Sequence, residues 1–183
     1  MDETITSVVL PARGYLNAIR KNISCRTKGE YFMEFSGTQT IAAPIEKVWA
    51  FLADVNNVAS CAPGFQSLEV LEDEHWKAVV AVGVGPVKAK FTMDVTRDEM
   101  QEPDHMLIKG RGKAPGSAVD MSGHMHLTTV MTAETQMDWK ATVVVSGTIA
   151  SVGARLLQGT AERLTGQFFD CLKSTLQAPD TGS

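Results

Sequence analysis

The sequence predicts an α+β fold in which one long C-terminal helix lies across a curved antiparallel sheet. The predicted elements follow the order strand, two short helices, a run of strands, one long helix. Short turn-rich segments separate the strands of that run, which favours antiparallel neighbours. The cleanest strand has one apolar and one polar face, and such a sheet needs another layer to cover its dry side.

The first elements are a strand and two short helices. Residues 34–43 alternate apolar and polar side chains, which is typical of a half-buried strand. Residues 44–54 place apolar side chains at helical spacing, and Pro44 suits the first turn. Asp54 is a candidate N-cap for a second helix through Ala59.

Six further strands follow from period-two alternation and turn signals: 67–72, 75–82, 87–96, 105–113, 119–129 and 135–147. The sequence GVGPVK, residues 83–88, leads into the clearest of them. It lacks the Ser or Thr that a phosphate-binding loop needs after its lysine, and a strand rather than a helix follows. We therefore predict a turn there.

A long helix is predicted from about Ala150 to Gln177, because no proline interrupts this stretch. Its apolar residues recur at intervals of four and three. The glycines at 159 and 166 are unfavourable in a helix, which indicates close approach of the sheet or space for something else.

Residues 1–32 differ from the rest, with five basic against three acidic residues. We expect a disordered or wrongly included N-terminal extension, with Met33 as the true start. A basic amphipathic arm that touches a membrane or a partner is the alternative. The domain then covers residues 33–177, and residues 178–183 form a disordered tail.

Composition excludes several classes of function. The 183 residues suit one domain, and a net charge of −4 disfavours nucleic-acid binding. No apolar run approaches the roughly 20 residues that span a bilayer, so we expect membrane contact to be peripheral at most. The three cysteines lack CxxC spacing, which argues against a disulfide framework or a zinc site. We expect Cys61 and Cys171 to be buried thiols in a cytoplasmic protein.

Neither a metal site nor a catalytic constellation is evident. His124 and His126 share a strand face, but that face is the polar one and no third ligand is identifiable. No nucleophile motif or metalloprotease motif occurs. Nine methionines are present, several on predicted inner faces, where thioethers either fill a core or line an adaptable apolar binding surface.

Three stretches in order, APIEKVWAFLADVNNVASCAPG, VGVGPVKAKF and GTAERLTGQFF, resemble the CoxG family of carbon monoxide dehydrogenase subunits over residues 34–176. One departure is Ala62, where that family usually has Ile. The resemblance implies the helix-grip fold of the START/Bet v 1-like (SRPBCC) superfamily. It also implies a non-catalytic accessory protein that recruits a molybdenum-containing carbon monoxide dehydrogenase, or a related hydroxylase, to the membrane.

The resemblance further implies a helix-grip cavity that holds a hydrophobic molecule, with a quinone as the expected ligand, and no covalent cofactor. We expect its walls to be Phe91, Met93, Met106, Ile108, Met121, Met125, Trp139, Val143, Leu157, Leu164 and Phe168. We expect its mouth to be formed by Pro63, Gly64, Phe65, Gly85 and Pro86.

Three alternatives stay open. A polyketide cyclase or hydratase of the same fold would need inward polar groups, for which Trp139, Thr129 and Gln39 are the candidates. A general lipid-binding protein would use the same cavity without an enzyme partner. A pure interaction scaffold would have a fully packed interior.

Overall fold

The computed structural model describes residues 20–27 and 29–177, and it contains one eight-stranded antiparallel sheet with a long C-terminal helix. The strands are β1 (Arg20–Thr27), β2 (Glu30–Ile41), β3 (Phe65–Glu72), β4 (His75–Val84), β5 (Val87–Gln101), β6 (His105–Ala114), β7 (Ser117–Met131) and β8 (Glu134–Gly147). The helices are α1 (Ile45–Ala53), α2 (Val55–Cys61), a 3₁₀ helix (Thr148–Val152) and α3 (Ala154–Gln177). The predicted α+β helix-grip class is confirmed.

The strand order across the sheet is β1-β2-β8-β7-β6-β5-β4-β3. From β3 to β8 each strand pairs with the next one along the chain, so these pairings are local hairpins. The pairing of β2 with β8 joins distant segments, with Phe35 opposite Ala141. Both short helices lie in the chain between β2, the strand next to one edge of the sheet, and β3, the strand at the opposite edge.

Local chemistry explains most element boundaries. The Asp54 carboxylate accepts a hydrogen bond from the backbone N–H of Asn56 at 2.8 Å, so the predicted cap of α2 is confirmed. The GVGPVK stretch is a turn, also as predicted, with Gly85 at φ +56°. The long helix starts at Ala154 instead of about Ala150, because Gly153 adopts φ +88° and separates α3 from the 3₁₀ helix.

The predicted domain boundary at Met33 is wrong. Met33 lies inside β2 and is buried, and β1 pairs with β2 along its length. Lys21 Nζ lies 2.6 Å from Glu162 Oε1, which ties β1 to α3. The sequence RKNISCRT of β1 carries few apolar residues, so periodicity did not reveal this edge strand. Residues 1–19 and 178–183 of the predicted extension and tail lie outside the described residues.

Candidate ligand-binding site

The inner face of the sheet is continuous across five strands. Val95, Gly110, Met121, Val143 and Met33 stand opposite one another in a row from β5 through β6, β7 and β8 to β2. Their neighbours two residues away along each strand point to the same side. The predicted sheet residues of the cavity, from Phe91 to Val143, therefore all share the inner face.

Helix α3 crosses this face as a bridge. Its closest strand neighbours are β1 and β2 on one side and β4 on the other, and it also packs on α1, α2 and the 3₁₀ helix. Among the described residues, the backbones of β5, β6, β7 and β8 make no comparably close approach to α3. The backbones of these four middle strands therefore lie farther from the helix and form the floor of the inner face, and the Trp139 side chain of β8 spans part of this distance to reach Phe169.

Both ends of the floor are closed by packing. At one end α1 packs on β7 and β8, and Met106, Leu127 and Met137 are at most 2% exposed. At the other end the 3₁₀ helix packs on β5, β7 and β8, and Phe91 and Val145 are buried. These residues form an ordinary core, so any ligand space lies between the two ends.

The middle of the floor is left partly open. Ile108, Met125 and Val143 are only half-buried although they point inward. A Cβ added to Gly123 would meet no atom within 4 Å, so space lies above β7 at this point. The middle of the inner face is thus apolar and packed less tightly than its two ends, with Gly123 at its centre, and we call this region the hollow.

The prediction that Met121 forms part of an enclosed wall is wrong, because its side chain is 39% exposed. It nevertheless points inward, since a Cβ on Gly110 would lie 3.0 Å from Met121 Cγ and 3.5 Å from Met93 Cε. Met93 itself is buried. Met121 therefore marks the point where the hollow opens to solvent.

The buried stripe of α3 differs from the predicted one. Leu157 is buried as expected, but Leu164 and Phe168 are half-buried, and Phe169, Leu172 and Leu176 form the rest of the buried stripe. Cys171, on the flank of this stripe, is bonded to Cys61 of α2, and Phe169 packs against Trp139. Two adjacent phenylalanines leave the rotation ambiguous in the sequence, so Phe169 was missed.

Trp139 brings a polar group, its indole N–H, to the inner face. Its side chain is 8% exposed, and its ring lies 5.3 Å from that of Phe169, centroid to centroid. The indole Nε1 is buried and has no hydrogen-bond partner among the described residues. Most buried polar groups in proteins are paired, so this unpaired N–H is an unusual feature of the inner face.

A second polar group lies close by on the same face. Gln39, which is 4% exposed, accepts a hydrogen bond from Lys173 Nζ of α3 at 2.7 Å. Gln39 stands opposite Met137, two residues from Trp139 on β8. Thr129, the third predicted inward polar residue, is exposed at the end of β7. Lys173 was not found from the sequence, because it lies outside the apolar helix stripe.

The predicted mouth residues lie beside β4. The Gly64 carbonyl accepts a hydrogen bond from the Ala81 N–H at 2.9 Å, and Phe65 is half-buried at the start of β3. Pro63 is half-buried, and Gly85 and Pro86 are exposed in the β4–β5 turn. A Cβ on Gly85 would lie 3.0 Å from Leu156 Cδ1 of α3. Both predicted segments therefore border the strand over which α3 passes.

A disulfide joins Cys61 of α2 to Cys171 of α3, with Cα atoms 5.4 Å apart and 110 residues between them in sequence. The expectation of two buried free thiols is wrong. An odd cysteine count excludes complete pairing, but it does not exclude a single bridge. Two cysteines on helices that cover the same sheet face were the available signal. With the bridge, the cysteine argument for a reducing compartment no longer holds.

The outer face of the sheet is polar, and several of its charges are paired. A groove on this face has a volume of about 450 Å³ and is open to solvent. Arg111 Nε lies 2.6 Å from Asp120 Oδ1 across the groove, and the hydrogen bond to Asp120 raises the pKa of Arg111. His124 and His126 are exposed on this face, and no group of three potential metal ligands comes together in the described part of the chain.

Several solved structures share this fold. A conserved protein from Geobacillus kaustophilus is 26% identical, with a TM-score of 0.74 over 78% of this chain and 94% of that one. The Zhui aromatase/cyclase from Streptomyces sp. R1128 is 20% identical, with a TM-score of 0.62 over 83% and 99% of the two chains. A START superfamily protein from Mycobacterium smegmatis is 12% identical, with a TM-score of 0.60 over 79% and 97%.

Sequence comparison identifies the family directly. No curated protein sequence matches the chain significantly. The profile of the carbon monoxide dehydrogenase CoxG family, in contrast, matches residues 37–177, which include all of the inner face from β3 to β8 together with α1, α2 and α3. The chain belongs to the CoxG family of carbon monoxide dehydrogenase subunits.

Proposed function

We propose that this protein is a non-catalytic accessory protein of an aerobic carbon monoxide dehydrogenase or a related molybdenum hydroxylase. It holds a hydrophobic ligand, most simply a quinone, in the hollow beneath α3 and links the enzyme to the membrane. The observation that carries this proposal is the half-exposed, inward-facing apolar floor between two packed ends. Family membership supports the accessory role and the enzyme partner.

The physics of the hollow favours an apolar guest. Half-buried, inward-facing side chains such as Ile108 and Val143 keep part of their apolar surface exposed. A ligand that covered them would remove apolar surface from water, which stabilises the complex by about 25 cal/mol for each Å². No directional chemistry is needed for the tail of such a ligand.

The membrane link in this proposal is peripheral. No helix within the described ranges is long and apolar enough to cross a bilayer. A quinone carrier needs only to reach the bilayer surface, because the quinone itself can pass from there into the hydrocarbon core. Flotation with phospholipid vesicles, with and without a dissolved quinone, measures this contact. If the protein does not float with the vesicles under either condition, the proposed membrane contact is wrong.

The experiment that tests ligand binding is solvent extraction of the purified protein followed by mass spectrometry. We expect a quinone or another apolar molecule at a substantial fraction of one equivalent. An empty extract, together with no uptake of added quinone, would refute the proposal.

Two matched variants locate the ligand. Gly123→Leu places a side chain in the open space of the hollow, and we expect it to abolish uptake. Gly83→Leu adds the same side chain on the solvent side of β4, where a Cβ also meets no atom within 4 Å, and we expect it to bind normally. Equal uptake by both variants would place the ligand elsewhere.

One observation favours the enzyme alternative, a START-like cyclase or hydratase. The pair of Gln39 and Lys173, close to Trp139, supplies inward polar groups that such chemistry would need. Turnover of a cyclic substrate that Lys173→Met abolishes would establish this alternative. The scaffold alternative requires a sealed interior, and the 39% exposure of Met121 counts against it.

A further inference from the structure

The indole N–H of Trp139 is buried where packing alone would not require a tryptophan. The ring lies against Phe169, and this apolar contact does not use the N–H. Besides a larger ring than that of phenylalanine, tryptophan adds the N–H, and here that N–H is buried without an acceptor among the described residues. An unpaired buried donor lowers stability, so its presence needs a compensating partner.

The neighbouring protein groups do not supply that partner. The Gln39 side-chain oxygen accepts a hydrogen bond from Lys173 Nζ at 2.7 Å and none from the indole Nε1. Met125 stands opposite Trp139, and Ala141 lies two residues along β8 on the same face, so both adjoining side chains are apolar. Ala141 in turn stands opposite Gly123, where the open space of the hollow lies. The unpaired donor is therefore at the border of the proposed ligand space.

We infer that the Trp139 indole N–H is the polar anchor of the hollow, and that it selects apolar ligands that carry a carbonyl oxygen. This inference rests on the proposed function and specifies its ligand class. A carbonyl oxygen on an aromatic or quinonoid ring would accept the N–H while the rest of the ligand covers Ala141 and Gly123. A hydrocarbon of the same shape would cover the same surface and leave the donor unpaired.

The test compares two probes that differ in their carbonyl oxygens. One is a fully substituted para-benzoquinone with a hexyl chain, and the other is the equally substituted hexylbenzene. The full chain, labelled with ¹⁵N, contains three tryptophans and so gives three indole N–H signals. We expect the quinone to shift the Trp139 signal downfield, and the hydrocarbon to bind without that shift. Trp49 lies on α1 and the Trp76 ring is covered by Arg97, so their signals are the internal controls.

A variant provides the second measurement. Trp139→Phe keeps a ring against Phe169, and we expect it to weaken quinone binding about tenfold while hydrocarbon affinity stays the same. If this variant does not fold, spectra of Trp49→Phe and Trp76→Phe identify the Trp139 indole signal of the wild type by elimination. The presence or absence of its downfield shift with the quinone then tests the anchor by itself.

The outcomes separate the inference from the proposed function. Quinone binding without a downfield shift at Trp139, or with equal affinity for Trp139→Phe, overturns the anchor and leaves the hydrophobic carrier intact. Binding of neither probe overturns the proposed function and the anchor together.

Discussion

The packed ends and the open middle of the inner face are built from the same strands and yet behave differently. At the α1 end, long side chains such as Met137 and Leu127 fill the space against a helix. In the middle, Gly123 and Ala141 replace them, and the α3 backbone passes at a greater distance. Small residues beneath a bridging helix leave a hollow, whereas large ones beneath a contacting helix make a core. The inner face is thus tightly packed at its two ends and loosely packed in its middle.

The largest effect should come from the packed end. Met137→Ala removes a fully buried side chain, and we expect a loss of about 3 kcal/mol in the free energy of unfolding. Met121→Ala is the matched control in the open middle, where the side chain is 39% exposed, and we expect a loss below about 1 kcal/mol. Urea unfolding of both variants measures the difference. Equal losses would mean that the middle is packed like the ends.

The disulfide comes next, because it holds together the two helices above the hollow. Replacing Cys61 and Cys171 together by alanine should lower the free energy of unfolding by about 2–4 kcal/mol. Hydrogen exchange should rise in α2 and α3 more than in β7 and β8. A reductant should destabilise the wild type and leave the double variant unchanged. A reductant effect of equal size on both would contradict a role for this bridge.

A smaller effect is expected at the rim. Gly64 adopts φ +79°, and a Cβ there would overlap the Ala81 carbonyl oxygen. Gly64→Ala should therefore cost about 2 kcal/mol, because the loop before β3 must move away from β4. Gly83→Ala, with open space around its Cβ, should change stability by less than about 1 kcal/mol. Thermal unfolding of the two variants would show whether the loop is held as tightly as this contact implies.

The smallest effect lies on the outer face, away from both regions. The hydrogen bond and charge of Lys109, with help from Thr96, hold the pKa of Asp98 below its ordinary value of 3.8. A lowered folded-state pKa adds stability above the ordinary pKa, and this is lost as the pH falls through the lowered one.

Asp98→Asn should consequently reduce the melting temperature slightly at neutral pH and not at strongly acidic pH. Both Asp98 and Lys109 are solvent-exposed, so salt should weaken the effect. Asp73→Asn, in the β3–β4 turn, removes the same charge as a control. A difference that persisted below the lowered pKa would rule out the ion pair as its cause.

Local patterns were sufficient to predict most of this fold. Alternation in β5 identified the inner face, because one side of that strand is dry and the other carries charges. Asp54 and the glycine-proline turn were readable because capping and turn chemistry act within a few residues. The same alternation predicted which sheet side chains point to the inner face.

What the sequence left open depends on contacts between distant segments. The rotation of α3, which buries Phe169 instead of Phe168, is set by neighbours on α2 and β8. The pairing of Cys61 with Cys171 requires the two helices to be adjacent, and the solvent opening at Met121 depends on how far α3 stands from the floor. The unpaired N–H of Trp139 is likewise visible only when the acceptors around it are placed.

Strand β1 protects an edge of the sheet, so the chain should be produced with this strand included. It covers the outer edge of β2, and its Lys21 reaches across to Glu162, so it is one of the supports on which α3 rests. A polypeptide truncated to begin at Met33 would present the N–H and C=O groups of β2 to any other strand in solution. Edges of that kind promote self-association, which makes the polar residues ahead of Met33 a safeguard against aggregation.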